Sequence, residues 1–330
     1  MVTPHTERNE PRAQWTPEKS WSEAGDRPGE APGRFEAREL AGVSAGHGLV
    51  TLAGTWVLLA AMIGAYLLAP SRALFAVVFV LVASRQYALL ILMHDAFHSL
   101  LHPSRTINDI LGAWCIGFPC GSSYWAARSL HLAHHRLLGH AQDPERVLHT
   151  AEDKRSPTLL ARHFIRLLLG GQFLYTYVGA TTPVGQTAPW PRGLARGGVR
   201  LLPAALAQAG LVGIFWLAGS WTAYVWLWLL PLLTLTVLFN GVRVFCDHAN
   251  LKDEPGTERD RLVSYVSNRV ERFFLAPFHM NYHAEHHLLP YVPHYNLPRL
   301  RAKLRSAEPT AFVQWRGTYV GFLRRFLAAR

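Results

Sequence analysis

Apolar residues along this chain gather in runs of about twenty, and the segments between the runs are polar, basic and rich in histidine. The first run covers about 49–68 and stops at Pro70-Ser71-Arg72; the second covers about 73–93. Each is long enough to cross the roughly 30 Å hydrocarbon core of a bilayer as a helix. The linker between them is so short that they must form an antiparallel hairpin. A third run, about 201–218, and a fourth, about 221–239, meet near Gly219-Ser220 as a second hairpin. The pattern predicts an all-α polytopic membrane protein, with four transmembrane helices in two hairpins and a cytosolic helical cap.

Shorter stretches fill in the cap. Residues 107–120 are apolar but too few to span, so they are expected in or against the interface. Over 159–177, Arg162, His163 and Arg166 break the apolar face, which suits an amphipathic surface helix. Residues 183–200, rich in Pro, Gly and Arg, read as a loop. Arg85 and Gln86 interrupt the second run. Either the helix extends beyond the bilayer and Arg85 reaches the interface, or the two residues line a tunnel. Residues 1–42 carry Pro4, Pro11, Pro17, Pro28, Pro32 and many charges without an apolar signal region, which predicts a disordered cytosolic tail. Residues 43–305 form the membrane domain and 306–330 a C-terminal cytosolic helix.

Half of the chain is hydrophobic and 17% is charged, below the roughly 25% usual in soluble domains. The formal charge of +11 does not require a nucleic acid, because the cations are confined to one side of the runs. Of 33 basic residues, all except Arg72 and Arg85 fall in the tail, the middle segment or the stretch after Asn240. The positive-inside rule then places both termini and everything between the hairpins in the cytosol. No nucleic-acid reading motif is present. Three cysteines, Cys115, Cys120 and Cys246, form no framework and read as reduced thiols.

Histidine supplies the candidate chemistry. His283, His286 and His287 stand at i, i+3 and i+4, which sets three imidazoles on one helical face. His131, His134 and His135 repeat the spacing, and His94 with His98 forms an i, i+4 pair. Eight of the 17 histidines lie in these boxes. A tetrahedral ion takes about four ligands, so the set suits two ions better. His248, emerging from the fourth run, brings the count to nine. Neutral imidazole suits zinc, iron, copper or nickel. Asp95 and Glu285, inside their boxes, are either acceptors that orient a ligand or surface acids. His102 and His279 extend helical faces next to the boxes, whereas His140, His149, His163 and His294 read as surface or hydrogen-bonding residues.

The ordered boxes His94/His98, His131/His134/His135 and His283/His286/His287 resemble those of the membrane fatty-acid desaturase and hydroxylase superfamily, in its bacterial branch. Asn281-Tyr282 before the last box, Leu289-Pro290, Val292-Pro293 and Asn296-Leu297-Pro298 after it, and Gln142-Asp143-Pro144 after the second are similar too. The likeness covers about 45–305. It implies a non-haem centre of two Fe ions at the cytosolic helix ends, with O2 as co-substrate. It also implies desaturation or hydroxylation of a lipid chain, and electrons from a ferredoxin or a cytochrome b5-type donor. His248 joins the ligands by the same resemblance. Some members place an asparagine four residues before that histidine; here the position is Val244, and Asn240 lies one turn further away.

Carotenoid ketolases and hydroxylases share similar boxes, so a polyene substrate is a second reading. A membrane zinc hydrolase would activate water with few ligands and one open position. A metal carrier would spread its ligands along the spans. The excess of Arg over Lys points to a GC-rich bacterial genome, hence the bacterial cytoplasmic membrane and a ferredoxin. The basic residues Arg299, Arg301, Lys303 and Arg305 fit either an acidic electron carrier or lipid head groups.

Overall fold

A computed structural model describes residues 37–150, 154–171, 190–249, 263–307 and 314–328. The tail expected over 1–42 therefore lies outside the described residues up to 36. Two helices open the fold, α1 (Ala45–Leu68) and α2 (Arg72–Phe97). Ser44 and Ser71 cap them, each side chain accepting from the backbone three residues on, His47 N and Leu74 N. Ala69-Pro70-Ser71 is too short for anything but a reversal, and the helices pack on each other. The second half of α2 is buried almost all round, its polar residues Ser84, Arg85, Gln86, His94 and Asp95 included, and this makes α2 the central column.

Beyond Ser99, whose φ of +63° turns the chain, α3 (Arg105–Gly112) continues into a wide π-helical turn, Ala113–Gly117. Then come α4 (Tyr124–Leu137), α5 (Arg146–His149), α6 (Pro157–Leu168) and α7 (Trp190–Leu217). A long α8 (Trp221–His248) follows. It is π-helical at Val225–Leu229 and Leu232–Thr236, on either side of Pro231. A proline inside a helix removes one donor and crowds a carbonyl four residues back, and wider turns relieve both. Gln86 of α2 donates to the Trp228 carbonyl within this region, and Thr236 donates to Gln86 and to the Ala83 carbonyl. These bonds lock α8 to α2.

Among the described residues, three helices are long and apolar enough to cross a membrane: Ala45–Leu68, Arg72–Phe97 and Trp221–His248. The apolar part of α7, Leu202–Leu217, is shorter. The segment expected as a loop is helical from Trp190 onward, while 183–189 lies outside the described residues.

The chain is mostly helical, with one departure from the all-α expectation. Strand β1 (Val263–Tyr265) pairs in parallel with β2 (Gln314–Arg316), Val263 facing Gln314. Between and after them lie α9 (Arg269–Phe274), α10 (His283–Leu288), α11 (Leu297–Ala307) and α12 (Tyr319–Ala328). Tyr319, Phe322 and Phe326 of α12 are buried in an apolar cluster with Phe245 of α8.

Arg85 does not line the cavity described below. It is buried, donates to the Phe273 carbonyl at 2.7 Å, and stacks 3.9 Å over the Phe273 ring. Tyr87 donates to the Leu275 carbonyl. Both bonds satisfy carbonyls at the C-terminal end of α9, where helical partners run out.

Candidate metal centre

Four helices deliver the box histidines to one place. His94 comes from the last turn of α2, and His98 follows its final residue. His131, His134 and His135 occupy the second half of α4, His248 ends α8, and His283, His286 and His287 lie on α10. The structure gathers all nine side chains, and it sorts them into two sets.

In the first set, one nitrogen from each of His94, His98, His131, His135 and His286 falls within 4.8 Å of all the others. The Nε2 atoms of His98 and His131 are 2.9 Å apart, and those of His135 and His286 are 3.3 Å apart. In the second set, His134, His248 and His287 meet within 4.8 Å. His283 joins them, with its Nε2 lying 3.0 Å from both His248 Nε2 and His287 Nε2.

These separations match a metal's coordination shell. Bonds of about 2.1 Å put neighbouring nitrogens about 3.0 Å apart at right angles and about 3.4 Å apart in a tetrahedron. Neutral imidazoles bonding only each other would need a proton between each pair, whereas here several Nε2 atoms crowd together. His94 Nε2 is buried without a hydrogen-bond partner, as a ligand atom facing a cation would be. The donor set therefore fits two cations that accept nitrogen.

Electrostatics points the same way. Burial, followed by the mutual repulsion of neighbouring imidazolium charges, holds His98, His131, His135, His286 and His287 well below the ordinary 6.5. Burial does the same for His283, with the Arg243 guanidinium adding to it. Neutral imidazole is the state that ligates. His134 differs: burial lowers it, but Glu145 and Asp143 outweigh burial and raise it.

Each set has carboxylates behind it. Asp143 stands 3.0 Å from His134 Nδ1 and 3.1 Å from His149 Nε2. Burial alone would raise the Asp143 carboxyl; its bonds to His134 and His149 hold it below the usual range. Asp247 lies 3.9 Å from His283 Nδ1 and accepts from Arg243 at 3.0 Å. Asp95 lies 3.8 Å from His94 Nδ1 and accepts from His294 Nδ1 at 2.6 Å.

Of the two roles expected for His149 and His294, surface or hydrogen-bonding, the structure shows the second: both are buried partners of these acids. Asp143 stands in the Gln142-Asp143-Pro144 segment that the sequence singled out, whereas nothing local marked His149. Glu285 is fully buried and accepts from Ser264, with burial pushing its carboxyl up to about 7. His102 accepts from the Ser104 N–H, and His279 rests against Tyr282, so neither joins the cluster.

A cavity of about 230 Å³ opens beside the nine histidines. Both sets reach it, through His94 and His131 on one side and His134, His248 and His283 on the other. Its walls are largely apolar: Leu90, Met93 and Phe97 of α2 face Val237 and Val244 of α8. Asn240 shares the α8 face with them.

A family model described as fatty acid desaturase matches residues 70–319, a region that holds all nine histidines. The chain belongs to the fatty acid desaturase family. It is similar to two proteins named beta-carotene ketolase from Paracoccus. One (strain N81106 / MBIC 01143) is 29% identical over 217 residues, which is 65% of this chain and 74% of the relative. The other (strain PC1) is 26% identical over 215 residues, 64% and 73% of the two chains. It is also similar to a dihydrorhizobitoxine desaturase from Bradyrhizobium elkanii, 25% identical over 263 residues, 73% and 71% of the two chains. The family is one of non-haem di-iron oxidases, and the protein is accordingly an oxidoreductase whose apolar helices fit an integral membrane protein.

Proposed function

We propose that the protein is an O2-dependent membrane oxidase that desaturates or hydroxylates a fatty-acyl or related lipid chain. One observation carries the reading, namely the convergence of nine imidazoles, eight of them buried, into two sets in which paired Nε2 atoms lie 2.9 to 3.3 Å apart. His94, His98, His131, His135 and His286 would hold one iron, and His134, His248, His283 and His287 the other. The bound pair supplies the redox chemistry that O2 activation and C–H cleavage need, which redox-inert zinc cannot.

The chain's own residues do the rest. Asp143 accepts a hydrogen bond from the Nδ1–H of His134, which holds the proton there and leaves Nε2 bare for ligation. Asp95 and Asp247 lie farther off, 3.8 Å from His94 Nδ1 and 3.9 Å from His283 Nδ1, too far to accept a hydrogen bond from either. Leu90, Met93, Phe97, Val237 and Val244 would hold an alkyl segment in the cavity and keep water from it. Placement of one carbon against the cluster decides which hydrogens are lost. Four crossing helices, α7 completing the second hairpin, would set the cluster and both termini on the cytosolic side, where the basic residues lie. Electrons would come from a ferredoxin or a cytochrome b5-type carrier.

The two beta-carotene ketolases support a second reading, a carotenoid end group oxidised in the same cavity. Iron-loaded protein supplied with reductant and ¹⁸O₂ separates the two. Fatty-acyl substrate gaining a double bond without label, or a labelled hydroxyl, supports the first reading. Labelled oxygen on β-carotene alone supports the second. Neither product from protein with iron bound would contradict both.

A further inference from the structure

Charge on the last described stretches of the protein, within 263–328, is one-sided. Among the described residues of 263–328, the acids are Glu271 and Glu285, and both are buried. The same stretches present Arg269, Arg272, Arg299, Lys303, Arg305, Arg324 and Arg325 as exposed cations, with Arg301 partly exposed. Lys303 is engaged by Glu39.

Within this field one spot is built differently. Leu297 and Leu300 pin α11 to the protein from beneath. Arg301, one turn on from Leu297, has its guanidinium carbon 3.3 Å from the centre of the Trp315 ring and 5.5 Å from that of Tyr282. The two rings are 5.9 Å apart, and all three residues are partly exposed. Arg305, one turn on from Arg301, is on the same helical face. Tyr282 immediately precedes His283, so the spot adjoins the helix that carries the third histidine box.

We infer that Arg301, Arg305, Trp315 and Tyr282 form the docking site of an acidic one-electron carrier protein. The inference rests on the oxidase reading, which requires two electrons for each O2 and a carrier that delivers them singly. Arginine with tyrosine and tryptophan is the composition of protein interface centres, where flat rings supply area at little entropic cost. The surrounding cations would steer an acidic partner without fixing its pose. A lipid head group would be served by mobile exposed cations; it gains nothing from a guanidinium committed to a ring beside the histidine helix.

The test uses the metal-free full chain in detergent and an acidic [2Fe–2S] ferredoxin as probe, with binding followed by titration calorimetry. Wild type should bind, and its affinity should weaken steeply as salt rises. Arg301→Glu with Arg305→Glu should raise Kd at least about tenfold, with the thermal midpoint unchanged. Should that pair unfold the chain, Arg301→Gln with Arg305→Gln should still raise Kd severalfold. No binding by wild type, or equal binding by the folded variants, would overturn the proposal. So would unchanged ferredoxin affinity together with loss of co-purified phosphatidylglycerol in native mass spectra, which would assign the face to lipid. Because the assay needs no iron, failed docking leaves the oxidase reading standing, and docking by a chain that yields no oxidised product leaves this surface standing.

Discussion

His134 Nδ1 lies 3.0 Å from both carboxylate oxygens of Asp143, and both side chains are buried. A carboxylate only accepts, so the proton sits on Nδ1 and Nε2 is left as the ligand atom of a histidine that meets His248 and His287 within 4.8 Å. Asp143→Ala removes the acceptor and leaves the tautomer unfixed. Such partners are typically worth about 10- to 100-fold in metal affinity. Bound metal should fall from about two ions toward about one per chain, because the set containing His94 and His98 does not depend on Asp143. Metal analysis of the purified variant checks this, and equal loss of both ions would contradict the division into two sets.

Six histidines outside the spanning helices, His98, His131, His135, His283, His286 and His287, are held below 6.5. Below about pH 6.5 the unfolded chain therefore binds more protons than the folded chain, and stability rises with pH. His134, shifted upward, opposes this as one group against six. The metal-free protein in detergent should hold a constant thermal midpoint above about pH 6.5 and lose stability as pH falls toward about 5. A midpoint that rises on acidification would contradict the neutral cluster.

Gly48 of α1 packs directly against the backbone carbonyl of Leu101, and a Cβ there would overlap that oxygen. A backbone atom cannot rotate aside, so Gly48→Ala should push α1 off the loop after α2, costing about 1–3 kcal/mol. Gly54, on the same helix, has open space where its Cβ would be. Gly54→Ala should leave the thermal midpoint unchanged or raise it.

Val237 faces the cavity from α8, away from the ligands. Val237→Trp should fill part of the 230 Å³ and displace the substrate chain. A displacement of about 1 Å can cost about 100-fold in rate. Turnover should therefore drop by about that factor while bound iron stays at the wild-type level. Loss of iron in this variant would show that the side chain supports the cluster instead of the cavity.

The parts of the molecule visible in its sequence were those written locally. His-x-x-His-His on one turn of helix sets three imidazoles side by side, so the boxes announce themselves. The α1–α2 hairpin follows from two long apolar runs and a three-residue link. Contacts made across the fold left no such mark. Asp95 and His294 are 199 positions apart, and β1 meets β2 across about fifty residues in strands too short for any alternation. Arg85 looked like an interfacial cation because nothing nearby in sequence announces the Phe273 carbonyl. The segment 183–200 was read as a loop from its prolines and glycines, yet it is helical from Trp190 onward, in a helix that also holds Pro203 in its interior.

The central claim is that two irons sit among these nine histidines, and metal content of the purified protein after iron-replete growth tests it most directly. About two irons per chain, reduced in His135→Ala, is the expected result. About one zinc per chain, with iron absent, would contradict it and leave a zinc hydrolase as the better account of the site.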